Sequence, residues 1–217
     1  MMNIDNILIC APHTDDGEFG CGGSIARFVA EGKNVWYVAF SAAEKSVPNE
    51  FPTDILRKEL SQAMNVLEVP EKRVIALSYP VRDFPLHRQG ILDDMIRLGR
   101  EIKPDVVFLP STNDTHQDHQ TIAMEGFRAF KGVSMLGYEV PWNNLTFSTQ
   151  AFVFLEERYV SKKIEALKCY RSQEGRHYAS QDYIESLARS RGTQIATTYA
   201  EAFEVIRWVI KGENHGF

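Results

Sequence analysis

His13, Asp15 and Asp16 are the first residues along the chain whose types and spacing are suited to chemistry. They closely follow an apolar run at residues 7–10, and the length of this run, bounded by a proline, predicts a strand buried on both faces. In an open parallel sheet, ligands bind outside the carboxyl ends of the strands. We therefore interpret the imidazole and the two carboxylates as a candidate metal or acid-base site.

A second polar cluster, at residues 114–119, follows another apolar run at residues 106–110. Loops at the carboxyl ends of two strands of one sheet can converge on a single ion. A catalytic zinc site typically combines three protein ligands with one open position for water. His13, Asp16 and His119 would supply that set, and Fe²⁺ or manganese would also suit histidine and carboxylate ligands.

The residues that remain in the two clusters suit attack by a metal-activated water on a carbonyl group. A bound metal lowers the pKa of its water to about 7, and Asp15 is the spare carboxylate that can take the proton of this water. Attack on a carbonyl also requires positive charge and a proton donor, and His116, one helical turn before His119, fits both needs. Asp118 can hold an imidazole in one tautomer, although it is equally typical of a helix amino terminus.

Each cluster taken alone is also explained by a polar turn, because Asp, Thr, Asn and Gly are common where strands end. The occurrence of both clusters at predicted strand ends favours a functional site. Four glycines between residues 17 and 23 precede a helix that is predicted to begin near Ser24, and we expect them to adopt left-handed backbone and to pack closely.

The glycine segment also admits a different function. Its order does not match the dinucleotide-binding pattern Gly-Xaa-Gly-Xaa-Xaa-Gly, and no acidic residue ends the second predicted strand. A nucleotide-dependent oxidoreductase that uses this segment nevertheless stays an alternative to the hydrolase. A metal-binding module without catalytic activity is the other alternative.

The elements that must position these residues are those of one α/β domain over residues 1–217, a Rossmann-like, mostly parallel sheet flanked by helices. Strands are predicted at residues 7–10, 35–40, 74–77, 106–109, 133–140, 151–155 and 201–210. Helices are predicted at residues 25–31, 54–67, 91–102, 121–131, 162–170 and 181–191.

The composition is that of an ordinary globular protein, with 44% hydrophobic and 24% charged residues among 217. The net charge of −5 argues against a nucleic-acid partner. No stretch is apolar enough to span a bilayer, the amino end lacks a secretory signal, and the three cysteines show no disulfide framework. We therefore expect a cytoplasmic protein with a small-molecule substrate. Whether it forms a homo-oligomer is left open.

The two clusters resemble the signature of the LmbE-like, or PIG-L, family of zinc-dependent N-acetylglucosaminyl deacetylases. That signature is Ala-His-Pro-Asp-Asp-Glu, then Gly-Cys-Gly-Gly, and later His-Xaa-Asp-His. This chain has His-Thr-Asp-Asp-Gly from residue 13, Gly-Cys-Gly-Gly from residue 20 and His-Gln-Asp-His from residue 116. Thr14 and Gly17 replace the family's Pro and Glu, although Glu18 stands one place later. Neither replaced residue is a metal ligand in the family.

The resemblance implies that His13, Asp16 and His119 bind zinc, that Asp15 is the general base and that His116 stabilises or protonates the reaction centre. It also implies the reaction, which is removal of an N-acyl group, chiefly acetyl, from an amino sugar that can be nucleotide-linked or lipid-linked. The substrate class comes from the resemblance alone.

Two arginines are candidates for substrate binding. A helix at residues 54–67 carries a substrate-contacting arginine in the family, and Arg57 is the candidate here, although a solvated helix cation is the simpler interpretation. Arg82 lies on a predicted carboxyl-end loop and could bind a sugar hydroxyl or a phosphate, with a salt bridge as the commoner explanation. Trp142 and Tyr138 could stack on a sugar ring, but we expect them to be core aromatics.

Overall fold

The computed structural model describes residues 4–210, which form a single α/β domain. Its strands are β1 (Asn6–Ala11), β2 (Asn34–Ala39), β3 (Val74–Ala76), β4 (Val106–Pro110), β5 (Ser134–Tyr138), β6 (Ala151–Leu155) and β7 (Tyr199–Arg207). Its helices are α1 (Asp16–Ala30), α2 (Ile55–Val66), α3 (Arg88–Ile102), α4 (Gln117–Ala129), α5 (Glu157–Leu167) and α6 (Gln181–Thr193). Within this part of the chain, no helix is long and apolar enough to cross a membrane.

One sheet of seven strands runs through the domain in the order β3-β2-β1-β4-β5-β7-β6. The first five strands are parallel, and β7 pairs antiparallel with both β5 and β6. The chain proceeds from β1 outward to β3 and then returns to the other side of β1 with β4. The strand order therefore reverses between β1 and β4, and such a switch point opens a crevice at the carboxyl edge of the sheet. The predicted Rossmann-like, mostly parallel sheet is confirmed.

The apolar run of β1 is buried on both faces, as a continuous hydrophobic strand predicts. Ile7 and Ile9 belong to the core on one side of the sheet, whereas Leu8 and Cys10 belong to the core on the other side. All four side chains are completely buried. This burial fixes the direction in which the chain leaves the strand, towards the polar residues that follow.

The helix predicted to begin near Ser24 in fact begins at Asp16, so this prediction was wrong about its start. Helix α1 is kinked at Cys21, where φ is −148° and ψ is 26°. The Glu201 carboxylate accepts hydrogen bonds from the amides of Gly23 and Ser24, at 3.0 and 2.7 Å. These bonds cap the second half of the helix, which explains why the sequence shows a helix start there.

The glycines of α1 do not adopt the left-handed backbone that we expected, since none of them has a positive φ. They permit close packing instead. A Cβ atom at Gly20 would lie 2.2 Å from the ring of Tyr138, and one at Gly17 would lie 2.5 Å from the ring of Tyr37. Both tyrosines are completely buried, so Tyr138 is a core residue.

Three further helices begin earlier than predicted, and α3 begins at Arg88 rather than at residue 91. Helix α5 begins at Glu157 rather than at residue 162, and α4 begins at Gln117 rather than at residue 121. The earlier start of α4 matters for the site, because it places Asp118 and His119 in the first turn of a helix and makes His116 its N-cap residue.

Candidate active site

The two polar clusters meet where the strand order reverses. Strands β1 and β4 are neighbours, with Ile7 paired to Val106, so the loops that follow them leave the sheet side by side. The His13 ring lies 5.1 Å from the ring of His116 and 5.4 Å from that of His119, measured between centroids. Residues about a hundred positions apart thus form one cluster.

His13, Asp16 and His119 form a group that can hold a metal ion, since their ligand atoms lie within 4.8 Å of one another. One oxygen of Asp16, Oδ2, lies 3.0 Å from His13 Nδ1 and 3.2 Å from His119 Nε2. The backbone amide of His13 also donates to this oxygen, at 2.8 Å. Two nitrogens and a carboxylate oxygen are a donor set that suits zinc.

The second nitrogen of each imidazole contacts a buried carboxylate. His13 Nε2 lies 2.9 Å from Asp118 Oδ2, and His119 Nδ1 lies 2.8 Å from Asp114 Oδ2. Such carboxylates fix the tautomer and the orientation of metal-binding imidazoles. Asp118 therefore orients His13, in the other loop, rather than one of its own neighbours. Sequence reasoning gave Asp114 no role, although it lies within the second cluster.

The cluster favours positive charge at the imidazoles. Burial lowers the pKa of a histidine, but the Asp16 carboxylate and the hydrogen bonds to carboxylates outweigh it, raising the pKa of His13 to about 9 and that of His119 to about 10. Burial raises the pKa of Asp16, but the two imidazoles outweigh this effect and hold that pKa well below its usual range. A divalent cation would compete with protons for the same nitrogens, so this electrostatic environment is compatible with metal binding.

His116 lines the cavity and accepts a hydrogen bond at one of its two ring nitrogens. Its Nδ1 accepts a hydrogen bond from the amide of Asp118, at 3.1 Å, as the N-cap of α4. Burial and the charges of His119 and His13 lower the pKa of His116. A neutral imidazole that accepts at Nδ1 must carry its hydrogen on Nε2. His116 is therefore arranged as a neutral hydrogen-bond donor.

Asp15 lies beside the ligand group, and its carboxylate contacts neither the His13 imidazole nor the His119 imidazole. Burial and the charge of Asp16 raise the pKa of Asp15 to about 6, although Arg176 opposes the shift. Nη1 of Arg176 lies 3.6 Å from Asp15 Oδ2. A carboxylate with a pKa near neutrality can both take up and return a proton, and this is the property that a general base in hydrolysis needs.

Glu18, which stands one place after the position of the family's Glu, is buried beneath the loop that holds His13 and Asp15. The carbonyl oxygen of Thr14 accepts hydrogen bonds from the hydroxyls of Tyr37 and Tyr170, at 2.8 and 2.7 Å. Both tyrosines also contact the Glu18 carboxyl group, and burial raises its pKa to about 8. The loop is therefore held from below by two tyrosines and an acid.

A cavity of about 300 Å³ opens above the cluster. It is lined by His13, Thr14, Asp15, Asp16, Ala43, Ser46, Leu56, Val81, Arg82, His116, His119, Trp142, Asn143, Gln173, Arg176 and Tyr178. Trp142 and Tyr178 stack on each other with their centroids 3.6 Å apart. The family resemblance implied only that the segment containing Gln173, Arg176 and Tyr178 packs around the entrance of the site, and nothing in their spacing relates these residues individually to the clusters.

The two candidate substrate arginines have different positions. Arg82 lines the cavity. Arg57 does not, because its guanidinium donates to the carbonyl oxygens of Ala76 and Leu77, at 3.0 and 3.1 Å, where β3 ends. The substrate contact by Arg57 therefore stays a prediction, with the guanidinium bonded at the end of β3. Its neighbour Leu56 lines the cavity instead.

Replacing Asp114 by Asn is expected to weaken zinc binding about 10- to 100-fold, because Asn has no negative charge with which to hold the His119 ring. The measurement is a competition titration against a chromogenic chelator. Asp93→Asn, on the exposed face of α3, is the matched control. Equal zinc affinities of the Asp114 variant and the unaltered protein would contradict the role that we assign to Asp114.

Comparisons with known proteins show which family this chain resembles. The family model of PIG-L, described as GlcNAc-PI de-N-acetylase, matches residues 8–130. An uncharacterized deacetylase of Escherichia coli, YaiS, is 30% identical over an alignment of 177 residues that covers 76% of this chain and 90% of YaiS.

Solved structures share the fold at lower identity. The N,N'-diacetylchitobiose deacetylase of Pyrococcus horikoshii has a TM-score of 0.79 at 21% identity, covering 94% of this chain and 84% of its own. The 4-carboxy-2-hydroxymuconate hydratase GalB of Pseudomonas putida has a TM-score of 0.75 at 18% identity, covering 98% of this chain and 100% of its own. The fold is thus shared with a hydratase as well as with a deacetylase. The family match includes both polar clusters and the strands that carry them, and the chain belongs to the PIG-L family.

Proposed function

We propose that this protein is a metal-dependent deacetylase that removes an N-acyl group, chiefly acetyl, from an amino sugar or an amino-sugar conjugate. The observation that carries the proposal is the spare carboxylate of Asp15 beside a group of two imidazoles and one carboxylate. Membership of a family described by de-N-acetylation supports amide hydrolysis as the reaction. A divalent ion, for which zinc suits the donor set, would supply Lewis-acid activation of water and of the acyl carbonyl.

The chain's own residues account for the proton transfers of this reaction. Asp15 takes a proton from the attacking water and delivers it to the amine nitrogen as the C–N bond breaks, so that acetate and a free amine leave. His116, which lines the cavity, donates its Nε2 hydrogen to the oxyanion of the tetrahedral intermediate. Asp118 and Asp114 keep the imidazoles of His13 and His119 in position during both steps.

The glycine segment gives little support to the oxidoreductase alternative. A dinucleotide requires glycines that let its pyrophosphate approach the backbone closely. Here, the rings of Tyr37 and Tyr138 pack directly against Gly17 and Gly20. The protein itself therefore fills the space beside these glycines.

Amine release from N-acetylated monosaccharides and sugar nucleotides tests the proposed function. With a panel of such compounds, we expect the zinc-loaded protein to release amine from at least one. A chelator should abolish this release, and added zinc should restore it. Activity that persists after the removal of every metal would contradict the proposal. Hydration of an unsaturated acid without any amine release would instead indicate the reaction of the hydratase relative.

A further inference from the structure

We propose that Arg82 binds an anionic group, either a carboxylate or a phosphate, so that the preferred substrate is an acidic amino sugar or conjugate. The proposal rests on the deacetylase function stated above, and it names the class of amino sugar that the site selects. Three properties of Arg82 support it: its backbone conformation, its unpaired charge and its place at the cavity.

Arg82 has an unusual backbone conformation that its surroundings impose. Its φ is 70°, in the left-handed region that a residue with a side chain rarely adopts. The carboxylate of Asp118 accepts hydrogen bonds from the amides of Arg82 and Phe84, at 2.7 and 3.3 Å. A strained backbone that surrounding groups maintain is often found at functional sites. Glycine would adopt this φ without strain, so the conformation does not by itself explain an arginine.

The same Asp118 carboxylate joins Arg82 to the metal-ligand group. Its Oδ2 contacts both the amide of Arg82 and Nε2 of His13. The loop that carries Arg82 is therefore held in a fixed position relative to the imidazole of His13. A cationic group at a fixed distance from the reacting centre can select substrates by the position of their charge.

The charge of Arg82 is not neutralised by any residue that the structure describes. Arg82 is exposed and lines the cavity, and its guanidinium has no ion pair or hydrogen bond with any residue between 4 and 210. The adjacent Asp83 is paired with Lys45, at 3.0 Å. A guanidinium presents a planar fork that matches a carboxylate or a phosphate and binds it through two parallel hydrogen bonds. A neutral sugar would leave this fork unused.

Binding to the Asp15→Asn variant tests the proposal, because that variant is expected to retain substrates without consuming them. Calorimetric titrations would use three probes: N-acetylglucosamine, its phosphate ester on the primary hydroxyl, and N-acetylmuramic acid, which carries a carboxylate. We expect one charged probe to bind about 10- to 100-fold more tightly than the neutral sugar, since hydrogen bonds to charged groups are strong. The tighter of the two charged probes identifies the anionic group.

Adding Arg82→Gln to the Asp15→Asn variant should make the affinity for the charged probe nearly equal to the affinity for the neutral sugar. The matched control is Arg158→Gln, which removes an exposed guanidinium that pairs with Glu156 outside the cavity, and it should leave the ratio of these two affinities unchanged. Arg82→Gly should lose the preference without lowering the melting temperature, because glycine relieves the backbone strain. A loss of preference in that variant therefore does not come from misfolding.

Equal binding of the charged and neutral probes, or no binding of any probe, would overturn the proposal. A preference for charge that survives Arg82→Gln would overturn it as well. These outcomes are independent of the proposed reaction, because they are measured as binding. Failure of the proposed function would appear as an absence of amine release by the unaltered protein.

Discussion

Replacing Asp15 by Asn is expected to lower kcat about 10²- to 10⁴-fold while the protein keeps its metal. Asn has nearly the same shape, but it cannot take a proton from water. The ligand atoms of His13, Asp16 and His119 do not include Asp15, so the ion should stay bound. The measurement combines steady-state amine release with elemental analysis of the purified variant.

The control for this prediction is Asp54→Asn, which changes an exposed carboxylate that pairs with Lys58 at 2.8 Å. It should alter neither kcat nor metal content. If Asp15→Asn retains full activity, Asp15 is not the general base. If it loses its metal together with its activity, Asp15 contributes to metal binding. A metal-binding module without catalysis would show no change in metal content and no activity to lose.

Replacing His119 by Ala is expected to reduce the metal content from about one ion per chain to nearly none, and the activity with it. A site with three protein ligands cannot lose one nitrogen and retain its affinity. Elemental analysis and chelator-free amine-release assays would measure the two effects. The same loss is expected for Asp16→Ala, because Asp16 Oδ2 lies between both imidazole nitrogens.

The buried position of His119 requires a second variant, because removing its ring leaves the Asp114 carboxylate without that partner. His119→Gln keeps a polar group near Asp114 and should lose the metal without a large change in stability. His87→Ala is the control, since His87 is exposed and does not line the cavity. Full zinc occupancy in the purified His119 variants would contradict the ligand assignment.

A hydratase shares this fold, so the fold alone does not specify the reaction. A likeness in strand order fixes where a cavity forms, but the chemistry depends on the groups that line it. In this chain, the relevant groups are Asp15 with its raised pKa and His116, whose Nδ1 accepts a hydrogen bond from the amide of Asp118. Both are consequences of local packing rather than of topology.

The sequence by itself determined the sheet and the edge at which chemistry can occur. Continuous apolar runs such as residues 7–10 indicate strands buried on both faces, and polar residues that follow two such runs indicate neighbouring loops. This reasoning grouped His13, Asp16 and His119, and the structure brings their ligand atoms together. It worked because strand burial and the change from apolar to polar residues are local properties of the chain.

Only the tertiary structure decided which partners surround that group. Asp118 reaches His13 across 105 positions of sequence, and Arg176 approaches Asp15 from a distant segment. Arg57 is directed to the end of β3 and away from the cavity. Such pairs depend on the packing of elements remote in sequence, which no periodicity or spacing records. The glycines of α1 were misinterpreted for the same reason, because the tyrosine rings that require them come from other strands.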